Sequence, residues 1–392
     1  LTDESILDVL RRHRSGWKPA FAFFEWIRES YGHSPGVCVY NEVLDTLGRM
    51  RRFEEVRQVL DEMLGREKLV NFCTYEVVVR RLASAHQVDE AIKFFDRIED
   101  LGLEHNLCAF QTLLLALCRY KHVEEAESLF RNRETGFTYD VKTWNVILNG
   151  WCLLRSLPDA KRFWRDLVAS NCKPDKFSYG IFIHCLSKRG KITTASKLLK
   201  TMREKGCEPD SAICNTVIDG LCFKKRIPEA LQLFDEMSTV YYNCPPTVAT
   251  YNSLVKHMCK IRRTEEADRL IREMEGKGGD CRPAASTYVF LLRSTRKPEE
   301  VDRVLDRMEG SGCEVDGDCL NLLLRLFVAW GESRRAREIW DEMTERGVGP
   351  DRRSYAVVIH DLCEKGMAET ARDYYGEMVS KGLIPEPRTK LL

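Results

Sequence analysis

The sequence predicts an all-α fold, a right-handed α-solenoid of about ten tandem 35-residue helix-turn-helix repeats with an N-terminal helical cap. Three observations predict it. The first is an internal period: Val248-Ala249-Thr250-Tyr251-Asn252-Ser253-Leu254-Val255 returns as Val141-Lys142-Thr143-Trp144-Asn145-Val146-Ile147-Leu148, as Ile213-Cys214-Asn215-Thr216-Val217-Ile218 and as Cys319-Leu320-Asn321-Leu322-Leu323-Leu324. Aligned on that asparagine, the copies stand at Asn41, Glu76, Gln111, Asn145, Gly180, Asn215, Asn252, Val289, Asn321 and Ala356. Neighbouring copies are separated by 35, 35, 34, 35, 35, 37, 37, 32 and 35 residues.

The second observation is a doubled helical pattern inside each copy. Val217, Ile218, Leu221 and Cys222 fall on one stripe of a 3.6-residue helix. After a short basic turn, Pro228-Glu229-Ala230-Leu231-Gln232-Leu233-Phe234-Asp235-Glu236-Met237 makes another, with proline and an acid in its first turn. The third is punctuation. Gly102, Gly136, Gly206, Gly312, Gly347 and Gly382 follow the second helix, where a left-handed cap is least strained for glycine. Pro174, Pro209, Pro283, Pro350 and Pro385 then prevent its continuation.

Taken in order, residues 1–36 form the N-terminal cap. Thr2-Asp3-Glu4-Ser5 starts a helix running through Leu10, and Pro19 opens a second through Ile27, shielding the first repeat from solvent. Ten repeats follow at 37–71, 72–106, 107–140, 141–175, 176–210, 211–247, 248–284, 285–316, 317–351 and 352–386, with a tail at 387–392. The two longer repeats carry extra loop residues, Tyr241-Tyr242-Asn243-Cys244-Pro245-Pro246 and Gly278-Gly279-Asp280-Cys281, expected on one face and expected to bend the array locally. In the shortest, Arg293-Ser294-Thr295-Arg296-Lys297-Pro298 compresses the turn.

With 392 residues, one elongated domain is expected, because stacked hairpins pack only against neighbours and escape the size limit of a single core. No apolar run approaches a membrane span, which predicts a soluble protein with no membrane partner. Lys plus Arg number 61 against 60 for Asp plus Glu, so the chain is not a uniformly basic binder. The charges are segregated instead. Acids gather in the second helices (Glu54-Glu55, Glu124-Glu125, Glu265-Glu266, Glu299-Glu300) and bases where the first helix ends (Arg80-Arg81, Lys188-Arg189, Lys224-Lys225, Arg262-Arg263, Arg334-Arg335), predicting one basic edge. Of 16 cysteines, Cys118, Cys152, Cys222, Cys259 and Cys363 share one register on the apolar stripe of the first helix, where cysteine acts as a small hydrophobe. None is spaced C-x-x-C, which argues against zinc, and a reducing compartment fits.

A helix pair of about 35 residues that opens with Thr-Tyr-Asn and closes with Pro-Asp resembles the pentatricopeptide repeat family, over about nine-tenths of the chain. The tetratricopeptide repeat differs in its 34-residue period and its Trp, Leu-Gly, Tyr pattern, to which Tyr251-Asn252 with Lys260 fits poorly. The stretch from Leu10 to Phe53, with Arg11-Arg12-His13-Arg14 and Met50-Arg51-Arg52-Phe53, is similar to plant mitochondrial members of the class built only from standard repeats, the P-class. The resemblance implies a reader of single-stranded RNA at one base per repeat. It implies that the fifth residue of a repeat reads the base, the last assists it, the second sandwiches the base and a basic thirteenth meets phosphate.

Carried over position by position, Asn145 with Asp175 and Asn321 with Asp351 resemble uracil readers, and Asn41 with Asn71 the cytosine-leaning pair. Asn215 with Thr247 and Asn252 with Ala284 keep the pyrimidine-type asparagine without an acidic helper. Glu76, Gln111, Gly180, Val289 and Ala356 depart from the family's code. Cys38, Cys73, Cys108, Phe177, Ala212 and Ala249 suit base sandwiching, Lys142, Ser286 and Arg353 are atypical there, and Asp318 would repel phosphate. Arg49, Arg119, Lys188, Lys260 and Lys297 fall at the phosphate position. Each has a simpler use as well: asparagine caps helices, and a terminal cation complements a helix dipole. Recurrence at one register separates the two uses, since capping alone would accept Ser, Thr or Asp equally.

No catalytic motif is present, whether H-E-x-x-H, a Gly-rich phosphate loop, G-x-S-x-G or the deaminase H-x-E with P-C-x-x-C. No enzyme, cofactor, metal or small-molecule substrate is therefore expected. The resemblance implies an organellar RNA-binding protein acting in RNA stabilisation, processing or translation, with a site read roughly as Y-n-n-U-n-Y-Y-n-U-n. The alternative is a structural subunit of the plant mitochondrial ribosome, gripping rRNA and ribosomal proteins. Either implies the mitochondrial matrix, with the chloroplast stroma as the other address. The chain begins at Leu1, so a targeting peptide is expected upstream.

Overall fold

The computed structural model describes residues 2–29, 35–66, 69–132, 138–239, 241–347, 349–386 and 389, without the side chain of Asp280. Gly136 and nearly all of the tail lie outside the described residues. Every long element among the described residues is a helix, and none is long and apolar enough to cross a membrane. Where one elongated domain is expected from sequence, the contacts divide the chain into two compact units, Leu1–Cys207 and Glu208–Leu392.

The first unit opens with α1 (Asp3–Arg12) and α2 (Trp17–Glu29). Thr2 caps α1, its hydroxyl accepting from the backbone N–H of Ser5. The second helix starts before Pro19, at Trp17, because proline is tolerated throughout a first turn whose N–H groups have no intrahelical partner. Five hairpins follow: α3 (Val37–Arg49) with α4 (Phe53–Leu64), α5 (Phe72–Ser84) with α6 (Val88–Asp96), α7 (Leu107–Arg119) with α8 (Val123–Asn132), α9 (Val141–Leu153) with α10 (Leu157–Ala169), and α11 (Lys176–Lys188) with α12 (Ile192–Glu204). The second unit holds five more: α13 (Ser211–Phe223) with α14 (Ile227–Met237), α15 (Val248–Lys260) with α16 (Thr264–Lys277), α17 (Ala285–Leu292) with α18 (Pro298–Gly310), α19 (Gly317–Trp330) with α20 (Ser333–Glu345), and α21 (Arg352–Glu364) with α22 (Ala368–Ser380).

Within each unit a first helix packs against its own second helix and against the first helix of the next hairpin, as α3 does on α4 and α5 and α15 on α16 and α17. The apolar stripe explains both contacts. In α13, Val217, Ile218, Leu221 and Cys222 are buried, and apolar burial is worth about 25 cal/mol per Å². The tyrosine before the reading position is buried in Tyr40, Tyr75, Tyr179, Tyr251, Tyr288 and Tyr355. Its hydroxyl needs a partner there, and finds Glu62 from Tyr40 and Glu273 from Tyr251, each at 2.7 Å. Burial, helped by those carboxylates, pushes Tyr40 and Tyr251 up to about 12.

Close approach between first helices is enforced by glycine at two places. A Cβ on Gly48 of α3 would lie 2.6 Å from Cβ of Arg81 on α5, and one on Gly150 of α9 would lie 2.8 Å from Sγ of Cys118 on α7. Gly48→Ala is therefore expected to destabilise the first unit by about 1–3 kcal/mol, the usual penalty for overpacking, measured as a lower urea midpoint at unchanged slope.

Burial of the recurring cysteines divides. Cys118, Cys222 and Cys259 are buried, whereas Cys152 and Cys363 are only partly so. Burial pushes Cys118 and Cys222 up to about 12 and Cys259 to about 11. The extra loop of the sixth repeat packs against its own first helix: Tyr242 and Cys244 are buried, and the Cys244 sulfur sits 3.6 Å from that of Cys214 on α13. The two side chains of this loop gain more by covering α13 than by standing in water.

Candidate nucleic-acid interface

The asparagine register is held by the start of the following first helix. Asp175 caps α11, its carboxylate accepting from the Ser178 backbone N–H at 2.8 Å, and the Ser178 hydroxyl closes a capping box. Asn145, one hairpin earlier, reaches into this cap. Its Nδ2 donates to Asp175 at 3.1 Å, and its Oδ1 accepts from the Ser178 hydroxyl at 2.6 Å. The same three residues meet in the last repeats: Asn321 Nδ2 donates to Asp351 at 3.2 Å, and Asn321 Oδ1 accepts from Ser354 at 2.6 Å. Thus each cluster joins the fifth residue of one repeat to the last residue of that repeat and the third of the next.

Burial alone would push the Asp175 carboxyl up, but hydrogen bonds from Ser178 and the Asn145 amide outweigh it and hold the group below its ordinary value. Asp351 is lowered in the same way, with Arg353 among its donors. Both are carboxylates at neutral pH.

Inside this common frame the slots differ. An amide offers two N–H donors and two lone pairs. Asn145 is 8% exposed and, among the described residues, has spent one donor and one lone pair, leaving one of each. Asn321 donates additionally to the Gly317 carbonyl at 2.9 Å, so both its hydrogens are committed. Asn252 accepts from the Thr287 hydroxyl at 2.7 Å. Asn41 meets Asn71 only at 3.4 Å, and the Oδ1 atoms of Asn41 and Asn215 are buried with no hydrogen-bond partner among the described residues. Gln111, off the family's code, nevertheless reaches Asp140 at 2.8 Å and Thr143 at 2.9 Å, repeating the cap contact with a longer side chain.

The third-position hydroxyl was not singled out in the sequence. Thr74, Thr143, Ser178, Thr250, Thr287 and Ser354 have no exposed surface. Its signal was the Thr of the Thr-Tyr-Asn motif itself, a β-branched polar residue recurring on an apolar stripe.

The second position of the repeat is exposed: Phe177 is 70% exposed, and Ala212, Ala249, Cys38, Cys73 and Cys108 are exposed too. The last two repeats depart, because Asp318 and Arg353, which occupy it in succession, form an ion pair at 2.7 Å.

At the phosphate register the five cations fall in different surroundings. Arg119, Lys188 and Lys260 are the last residues of α7, α11 and α15 and are exposed. Arg49 ends α3 but is bound to Asp45 at 2.6 Å, where Arg81 and Arg80 also converge at 2.6 and 3.0 Å. A buried carboxylate draws these guanidiniums inward, so Arg80-Arg81 is not part of a basic edge. Lys297 is displaced as well. Because α17 stops at Leu292, Lys297 stands at the N-cap of α18 and not at the end of a first helix. Arg334 and Arg335 lie within α20, paired with Glu338 and Asp302.

Among the described residues no group of three or more metal-ligating side chains comes together. Stacked hairpins with this asparagine, cap and hydroxyl cluster define a helical-repeat class, and family profiles specify it. The profile "PPR repeat family" matches residues 139–188, 209–260 and 246–297, "Pentatricopeptide repeat domain" matches 303–364, and "PPR repeat" matches 38–67, 73–103, 108–132, 177–207 and 353–383. A putative pentatricopeptide repeat-containing protein of Arabidopsis thaliana is 50% identical across all of this chain and 75% of its own length. A second from that plant, named as mitochondrial, is 36% identical over 98% of this chain and 67% of its own. The crystal structure of the pentatricopeptide repeat protein PPR10 from maize is similar in fold, with a TM-score of 0.55 at 24% identity, over 98% of this chain and 60% of that one. The chain belongs to the pentatricopeptide repeat family.

Proposed function

We propose that this protein binds single-stranded RNA in a plant organelle, the mitochondrial matrix by analogy with its named relatives, and serves transcript stability, processing or translation without catalysing a reaction. The observation that carries this reading is the Asn145–Asp175–Ser178 cluster. A uracil edge offers one N–H donor flanked by carbonyl acceptors. The unspent Nδ2 hydrogen and Oδ1 lone pair of Asn145 complement that edge, while Asp175 and Ser178 fix the amide's orientation before RNA arrives.

Exposed Phe177, Ala212 and Ala249 supply surfaces on which bases pack, and Arg119, Lys188 and Lys260 supply backbone charge. Asn215 and Asn252, together with Asn41 and Asn71, extend the pyrimidine preference to further slots. The cap clusters of Asn321 and Asp351 act mainly in holding successive hairpins together.

Substituting Arg119, Lys188 and Lys260 with glutamine tests the backbone contacts. The slope of log affinity against log salt on an unstructured strand is expected to fall by about 2, from about 0.7 per phosphate. Selection from a random RNA pool tests the reading itself. Recovery of sequences with no pyrimidine preference at the Asn145 slot overturns it.

A further inference from the structure

We infer that within each unit a second row of cations, in the turns between the two helices of several hairpins, binds RNA phosphate and supplements the residues at the ends of the first helices. Among the described residues, Arg51, His86, Lys121, Arg155, Lys225 and Arg262 have positive φ, between 58° and 73°. Each stands fourteen residues after the start of its hairpin, and in three other hairpins the same place is held by Gly190, Gly331 and Gly366, also at positive φ.

The backbone explains why glycine belongs there. The Lys225 N–H donates to Cys222 at 2.9 Å and the Arg226 N–H to Leu221 at 2.9 Å, the paired bonds of a helix end closed by a left-handed residue. Arg262 with Arg263 and Arg51 with Arg52 repeat it. Any side chain at that residue is strained where glycine is not. Six hairpins nonetheless keep a long cation or a histidine, so the side chain is retained at a cost to the fold.

His86 meets the ring of His122 at 2.9 Å, whereas among the described residues the fold gives the arginines and lysines of the row no carboxylate partner. The following residue is tied to the first turn of the second helix: Arg52 to Glu55 at 2.9 Å, Arg226 to Glu229 at 2.6 Å and Arg263 to Glu266 at 2.6 Å. Those acids are thereby neutralised. Among the described residues no carboxylate lies within ion-pair distance of Arg51, Lys121, Arg155, Lys225 or Arg262, and all five are exposed. In the second unit, Lys225 and Arg262 line one cleft with Lys260 and Phe223, which is 71% exposed. Three cations around a bare aromatic ring suit a phosphate with its base stacked beside it. In the first unit the row is Arg51, Lys121 and Arg155, with His86 between.

This inference rests on the RNA-binding reading above. Its test is the whole chain carrying Arg51→Gly, Lys121→Gly, Arg155→Gly, Lys225→Gly and Arg262→Gly, titrated across salt with a labelled oligouridylate and with the same strand closed by a hairpin. The melting temperature is expected to hold or rise, because glycine relieves the strain. The slope of log affinity against log salt is expected to fall by about 3.5 if all five meet the strand. Loss on both probes assigns the phosphates to the read strand, and loss on the hairpin probe alone assigns them to a flanking duplex. Glutamine at the same five positions must reproduce the slope change without the gain in stability.

An unchanged slope on both probes overturns the inference. So does an equal loss from the charge-matched control Lys161→Gln, Arg165→Gln, Lys200→Gln, Arg269→Gln and Arg337→Gln on the second helices. If the parent binds and the Arg119, Lys188 and Lys260 variant is weakened while the glycine variant is not, only this inference falls. If the parent binds neither probe, the proposed function falls with it.

Discussion

Glu127→Ala is expected to destabilise the first unit by about 3 kcal/mol, the largest effect of any single substitution considered for its stability. Glu127 on α8 is 5% exposed and collects three donors. Arg162 of α10 meets it at 2.6 and 2.9 Å, Arg131 at 2.6 Å, and the indole N–H of Trp151 on α9 at 2.7 Å. Removing the carboxylate strands the buried indole N–H and two guanidiniums that hold three helices together. The arginine side chains are 38% and 41% exposed and can turn toward water, and Arg131 keeps Asp166 at 2.5 Å, so the loss falls at the low end of that for a broken buried pair. A urea titration checks it, as a lower midpoint at unchanged slope.

The pH dependence follows with a definite sign. Burial pushes the Glu127 carboxyl up, but hydrogen bonds from Arg162, Arg131 and Trp151 outweigh it and the group is held low. Its contribution is present above the ordinary glutamate value and is lost as pH falls through the lowered one. Glu127→Gln should remove that component of acid unfolding while keeping an acceptor for Trp151.

Asn145→Ala is expected to weaken binding of a strand with uridine at its slot by roughly tenfold, about 1.4 kcal/mol. It should weaken binding little when that slot carries another base. The alanine removes the amide's uncommitted donor and lone pair, and also leaves Ser178 and Asp175 without their inter-repeat partner. Asn321→Ala should cost less affinity, because both Asn321 hydrogens are already bound to Asp351 and Gly317. Equal losses, or the reverse order, measured by fluorescence anisotropy on matched strands, would show that the amides serve the fold alone.

Much of this protein was legible before any coordinates. The period gave the hairpins, and Thr2 was readable as a helix start, since a cap acts through the nearest backbone; that Asp175 and Asp351 are caps as well was not read. The exposed second position could be read for a similar local reason. What escaped was any feature depending on a neighbour one repeat away. Arg49 and Arg119 look equivalent in sequence, yet only the former faces a carboxylate on its own helix crowded by the next hairpin's Arg80 and Arg81. Lys297 was misplaced because a short repeat shifts register, and only the end of α17 at Leu292 reveals where the turn begins.

The sequence by itself determined the kind of element, its repetition and the residue types at each register, because periodicity and capping are properties of a chain with itself over a few residues. Tertiary structure alone decided which of those polar groups are already spent. Whether an asparagine keeps a free donor or lone pair depends on side chains 30 and 33 positions away that stacking brings within hydrogen-bond distance.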